Sequence, residues 1–191
     1  MDKKYIEDSK FESKNFSEEM VYTTTFENCS FANCNFANSD LTNSEFIDCT
    51  FDNCDISLAK LVNTALRDVK FNQCKMLGLH FENCNTFVFS VEFTGCRLNL
   101  SSFYTLNLKL VKFNACSLLE VDFTKCNLSG LALGNCELLG AVFDDSNLEK
   151  TDFRTATNYT IDPEKNRIRK AKFSLPHIIG LLSKYDIEIK Q

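Results

Sequence analysis

The sequence predicts an all-β solenoid with square coils, on three observations. An apolar residue recurs at every fifth position, a small residue lies two places before it, and cysteines are spaced by one full coil. Stepping by five from Phe11 gives Phe16, Val21, Phe26, Phe31, Phe36, Leu41, Phe46, Phe51, Ile56, Leu61, Leu66, Phe71, Met76 and Phe81. The step then slips by two and resumes from Val88 as Phe93, Leu98, Phe103, Leu108, Phe113, Leu118, Phe123, Leu128, Leu133, Leu138, Phe143, Leu148 and Phe153. A period of five fits neither the 3.6 of a helix nor the 2.0 of an uninterrupted strand. It fits a chain in which five residues make one short side and a corner. The fifth-position residue and the small residue two before it then point inward, and the other three face water. Four such sides close a square. Cys34, Cys54, Cys74, Cys96, Cys116 and Cys136 test this independently, with spacings of 20, 20, 22, 20 and 20 that place them in one inner column.

Each element of the coil has its own residues. The small inward position is Cys29, Cys34, Ser39, Ser44, Cys49, Cys54, Ala59 and Thr64 in the first block, and includes Cys96, Ser101, Cys116, Cys126, Cys136, Ala141, Ser146 and Thr151 in the second. Turn formers occupy the corners: Asn28, Asn33, Asn38, Asn43, Asp48, Asn53 and Asn63 early, and Gly95, Gly130, Asn135, Gly140 and Asp145 later. The slip between Phe81 and Val88 reads as a two-residue bulge that takes Cys84 out of register. With Val88 inward, Phe87 and Phe89 are expected to point outward, covered by local packing or by a partner.

The run CSFANCNFANSDLTNSEF, and its later counterpart CSLLEVDFTKCNLSGLALGNCELLGAVF, resemble the pentapeptide-repeat family over about residues 11–156. The resemblance implies a right-handed quadrilateral β-helix of about seven coils, roughly 34 Å long at about 4.8 Å per coil. Residues 1–10 are then a lead-in, 11–156 the β-helix and 157–191 a C-terminal, helix-containing cap. The cap differs in charge, with 7 basic and 4 acidic residues. Ser174 is placed to N-cap a helix with Pro176 in its first turn. Leu175, Ile178, Ile179 and Leu182 form its apolar stripe, widened by Leu181. Ile187 and Ile189 alternate like a final strand. A lid over the open solenoid end accounts for this segment. The family also commonly dimerises through such an element, which makes these five side chains a candidate homodimer contact.

Composition narrows the function. The chain has 191 residues, is 44% hydrophobic and 25% charged, and carries a net charge of −5 with a pI near 5.1. This disfavours direct nucleic-acid binding of the usual basic kind. No stretch approaches the roughly 18 apolar residues of a membrane helix, and no leader peptide is visible, so a cytoplasmic protein is expected. The cysteines have spacings that permit zinc, but a linear thiol ladder does not gather four sulfurs around one ion. Disulfides are not expected in a reducing compartment. No Gly-rich phosphate loop is present, and His80 and His177 have no nucleophile beside them. No enzyme activity, metal or cofactor is expected.

The outer surface remains. Residues 11–60 hold 9 acidic and 2 basic side chains, including Asp40, Glu45, Asp48, Asp52 and Asp55. This is either a solvated face or a charged rod that a DNA-binding protein takes for duplex. Residues 61–119 are net +3, with Arg67, Lys70, Lys75, Arg97, Lys109 and Lys112. Folding the chain on its coil period also lines up Leu58, Leu77, Leu100, Leu119 and Leu139, as a partner-binding strip or as scattered exposed leucine. Qnr-type and MfpA-type family members are rod-shaped DNA mimics that protect type II topoisomerases from quinolones or peptide toxins. The resemblance therefore implies DNA gyrase or topoisomerase IV as a partner. The alternative is an interaction scaffold for an unrelated protein. Qnr-type members carry loops projecting from their coils; here only the slip interrupts the repeat.

Overall fold

The computed structural model describes residues 4–19, 21–185 and 187–190. Among the described residues eleven short strands follow one another: β1 (Lys4–Glu7), β2 (Lys10–Glu12), β3 (Thr24–Glu27), β4 (Ser30–Ala32), β5 (Glu45–Ile47) and β6 (Thr50–Asp52). They continue as β7 (Ala65–Arg67), β8 (Val69–Asn72), β9 (Val91–Thr94), β10 (Val111–Asn114) and β11 (Leu133–Gly134). The odd-numbered β1, β3, β5 and β7 make one parallel sheet. The other seven make a second, in the order β11-β10-β9-β8-β6-β4-β2. The other two sides of the square are joined by single parallel bridges such as Asn35↔Asp55 and Asp40↔Lys60. The chain is thus a quadrilateral parallel β-solenoid. Phe11, Phe31, Phe51, Phe71, Phe93 and Phe113 stand side by side, and the ladder continues through Leu133 to Phe153, seven coil steps in all.

Stacked aromatic columns fill the interior. Phe31 stacks on Phe11 at 5.0 Å and on Phe51 at 4.5 Å, and meets Phe16, Phe26, Phe36 and Phe46 edge-on. Each such ring pair contributes about 0.5–1.5 kcal/mol beyond its buried area. At the N-terminal end the Lys14 ammonium sits 4.8 Å from the Phe16 ring and 5.5 Å from that of Phe11.

The small inward residue has a second task. Ser44 Oγ donates to the Val21 carbonyl at 2.7 Å, Thr64 Oγ1 to that of Leu41 at 2.8 Å, and Cys54 Sγ to that of Phe31 at 3.4 Å. Serine, threonine and cysteine recur there because each is small and satisfies a carbonyl of the preceding coil. The corners are equally well determined: Asn28, Asn33, Asn38, Asn43, Asp48, Asn53 and Asn63 have φ between 51° and 59°. Asparagine and aspartate enter this left-handed region at least cost after glycine.

All ten cysteines are buried and free. Burial pushes the Cys49 and Cys126 thiols up to about 12 from an ordinary 9.0. The unfolded chain then releases protons that the folded one keeps. Stability is therefore full below about pH 9 and falls as pH rises from there toward 12. A melting-temperature profile is expected to drop steeply across that window. An aromatic disulfide reagent at pH 8 should find no reactive thiol until the protein is denatured.

Three details differ from the sequence-based expectation. First, the two extra residues are looped out at the corner after Asn85, because Ala65 bridges Asn85 while Val69 pairs with Val91. Val88 takes the left-handed corner with φ 56° and is exposed. Phe89, not Val88, fills the interior: it is only 5% exposed, against 73% for Phe87. Cys84 is buried, and its chain neighbour Asn85 keeps the regular register.

Second, the coil runs past both expected boundaries. β1 pairs with β3, placing Ile6 beside Phe26. Arg167 and Lys172 bridge Asn147 and Asp152, and Phe173 stacks on Phe153 at 5.3 Å. After Phe153 the five-residue step meets Asn158 and Pro163, which hide the period, before Ile168 and Phe173 resume it; these two and Ile6, one step before Phe11, pack against the core.

Third, the cap is built of 3₁₀ turns at Leu175–Leu181 and Ser183–Tyr185. Ser174 stands at the N-cap but makes no side-chain cap bond. Ile187 and Ile189 are exposed and belong to no strand. Among the described residues, no helix is long and apolar enough to cross a membrane.

Candidate protein-interaction surfaces

The five acidic candidates lie within one coil and are spread around it rather than gathered on one side. Glu45 belongs to β5 and Asp48 to the exposed corner after it, with φ 51°. Asp52 ends β6 and accepts from Asn72 Nδ2 at 2.8 Å. Asp55 and Asp40 stand on the two bridged sides, and each faces a lysine one coil on. Lys75 Nζ is 3.0 Å from Asp55, and Lys60 Nζ is 3.6 Å from Asp40. The Asp40 carboxyl is held below its usual range first by the Thr42 hydroxyl, with Lys60 assisting. For Asp55, burial pushes upward but is outweighed by Ser57 and Lys75. The ring is therefore partly neutralised: Asp40 and Asp55 are paired with lysine, while Asp48 is exposed to solvent.

The five leucines occupy two neighbouring columns along one edge. Leu58 and Leu100 sit at the corners themselves, with φ 58° and 62°, and are exposed. Leu77 and Leu119 are half-buried in the column beside them, each carbonyl accepting from the corner residue of the preceding coil at 2.9 Å. Leu139 ends the strip and is exposed. Leucine gains nothing from a left-handed backbone. Leu100→Asn is therefore expected to stabilise the fold by about 0.5–1 kcal/mol in urea titration, provided nothing is packed on that side chain.

The candidate self-contact is largely exposed: Leu175 is 86% exposed, and Ile178 and Ile179 are also open. Leu181 instead packs against the core, and Leu182 is half-buried. Leu139 meets this region. With Tyr159, Ile179, Leu182, Ile187 and Ile189 it lines a groove of about 510 Å³. The leucine strip and the cap are thus one apolar surface, which the sequence alone left as two. The missing link was Leu139's position one coil from the end. Phe87 stands far from this groove, on another side of the square. Among the described residues, no group of His, Cys, Asp or Glu is placed to hold a metal.

A rod of stacked parallel coils defines a repeat solenoid whose outer faces are available for binding. The family model described as a pentapeptide repeat region matches residues 24–103 and 87–161, and the chain belongs to that family. No curated protein matches at the sequence level. Among solved structures the chain is similar to HetL, a pentapeptide-repeat protein involved in heterocyst differentiation regulation in the cyanobacterium Nostoc sp. strain PCC 7120. There the TM-score is 0.75 at 12% identity, covering 91% of this chain and 87% of that one. It is also similar to a trypsin-treated variant of QnrB1, a plasmid-mediated fluoroquinolone resistance protein. That TM-score is 0.62 at 18% identity, covering 95% and 99%. At these identities the likeness establishes the shared fold.

Proposed function

We propose that this chain is a non-enzymatic binding protein whose acidic N-terminal coils stand in for duplex phosphates on a type II topoisomerase, DNA gyrase or topoisomerase IV. The observation that carries the reading is the charge of those coils: 9 acidic and 2 basic residues over 11–60, mounted at fixed coil spacing on a rigid rod. A DNA-binding groove recognises charge and shape before sequence, so a rod of this kind competes for it. The fold shared with QnrB1, a fluoroquinolone resistance protein, supports the choice of enzyme to test first. Purified protein titrated into a gyrase supercoiling reaction, with and without a quinolone, is expected either to restore supercoiling or to inhibit it in a way that added DNA reverses. No effect on gyrase or topoisomerase IV contradicts the reading.

A second reading is favoured by the apolar surface running from Leu58 to the groove at Ile179. It makes the protein a scaffold for an apolar partner segment. Leu77→Glu with Leu119→Glu should abolish that binding and spare topoisomerase binding.

A further inference from the structure

The side of the square that carries β1, β3, β5 and β7 is polarised along its length. Its outward positions and the corner that follows them hold, in the N-terminal half, Glu7, Asp8, Glu27, Glu45, Asp48 and Asp68, against Arg67 and, at the exposed start of the side, Lys4. In the C-terminal half the same columns hold Lys109, Lys150, Arg167, Arg169 and Lys170, against Glu149. Six acids against two bases, then five bases against one acid, give −4 and +4. Between the halves lies the looped-out corner, with Phe87, Val88 and Leu110 exposed.

The two charged ends are equidistant from that apolar centre. Along one register column, Asp8, Asn28, Asp48 and Asp68 lead to Ser90, whose Oγ donates to Asp68 at 2.7 Å. Leu110, Gly130, Lys150 and Lys170 then lead away from it. Asp8 and Lys170 thus each lie four coils from Ser90, roughly 19 Å at about 4.8 Å per coil. A surface with opposite charges at equal distances on either side of an apolar centre is its own complement under a two-fold rotation.

We propose that a second copy of the chain pairs antiparallel along this side, acidic half against basic half, with the two Phe87 side chains at the dyad. Glu7 and Asp8 of one copy then face Arg169 and Lys170 of the other, twice over. The side is narrow and its charges are exposed, so the pair is weak and sensitive to salt. It covers the acidic coils, so a partner that uses them must compete with self-pairing. The end-to-end contact expected of the cap is a different interface and is separated from this one by the experiment.

Sedimentation equilibrium of the full chain at about 100 µM should show a dimer in 50 mM salt whose Kd rises more than about tenfold in 500 mM. The triple variant Glu7→Lys, Asp8→Lys, Glu27→Lys should be monomeric, as should Arg167→Glu, Arg169→Glu, Lys170→Glu, and an equimolar mixture of the two should dimerise again. Phe87→Cys supplies an exposed thiol in a chain whose ten native cysteines are buried. It should form a disulfide-linked dimer on mild oxidation, and this holds whether or not the charge variants fold. A wild-type monomer at low salt overturns the proposal. So does a dimer indifferent to both triple variants and abolished by Ile179→Glu, or a Phe87→Cys chain that stays monomeric on oxidation.

Discussion

Phe31→Ala is expected to destabilise the protein by about 3–5 kcal/mol, read as a shift in the urea midpoint with little change in slope. The Phe31 ring is fully buried and touches six other phenylalanine rings from three successive coils. Neighbouring coils cannot collapse into the space, because backbone pairing on both sides fixes their separation. Most of the cavity therefore persists, which places the cost toward the upper end of the range. Phe87→Ala is the internal control. It deletes the same side chain from an exposed position and should stay within about 0.5 kcal/mol of wild type. If the two variants lose equal stability, the assignment of inward and outward positions is wrong.

Gly180→Val is expected to unseat the cap at a cost of about 3 kcal/mol or less, close to the upper limit for overpacking. Gly180 is buried where the cap lies on the last coil, and its carbonyl accepts the Ile161 N–H at 3.0 Å. A Cβ there would collide with the Tyr159 carbonyl oxygen, a backbone atom that cannot swing aside as a side chain can. The cap must lift, exposing Tyr159 and Phe173 at the end of the aromatic column. Proteolysis is expected to remove residues beyond about 174 from the variant while leaving the coils intact. Uniform degradation along the chain would instead mean that the cap and the solenoid unfold together.

Much of this architecture was legible because a solenoid repeats its instructions. Each phenylalanine at the fifth position, and each asparagine at a corner, states the same local geometry, so an occasional exception does not obscure it. The slip was harder to read. Val88 continues the five-residue count, yet its backbone turns left-handed and Phe89 drops into the core. Periodicity counts residues, whereas the fold conserves coil-to-coil pairing, and only the pairing of Val69 with Val91 shows where the extra residues go. The ends were misread for a related reason. Asn158 and Pro163 break the count after Phe153, yet Thr157, Arg167 and Lys172 still pair one coil back with Glu137, Asn147 and Asp152, and at the other end Ile6 pairs with Phe26.

The candidate surfaces were legible as residue sets but not as shapes. Asp40, Glu45, Asp48, Asp52 and Asp55 are close in sequence, and a coil distributes such neighbours over all four sides. Side chains that share a surface, such as Asp8 and Lys170, lie far apart in the chain. The lysines opposite Asp40 and Asp55 fall one coil on, so their neutralising effect appears only once the coils are stacked.

Whether acidic coils or apolar surface make the functional contact is decided by titrating three proteins into one gyrase supercoiling reaction. They are wild type, Glu45→Lys with Asp48→Lys and Asp52→Lys, and Leu77→Glu with Leu119→Glu. If the acidic coils make the contact, the acidic variant requires more than about tenfold higher concentration than wild type to act, and the leucine variant matches wild type. A wild-type effect lost in the leucine variant and kept in the acidic one, or no wild-type effect at all, contradicts that role for the acidic coils.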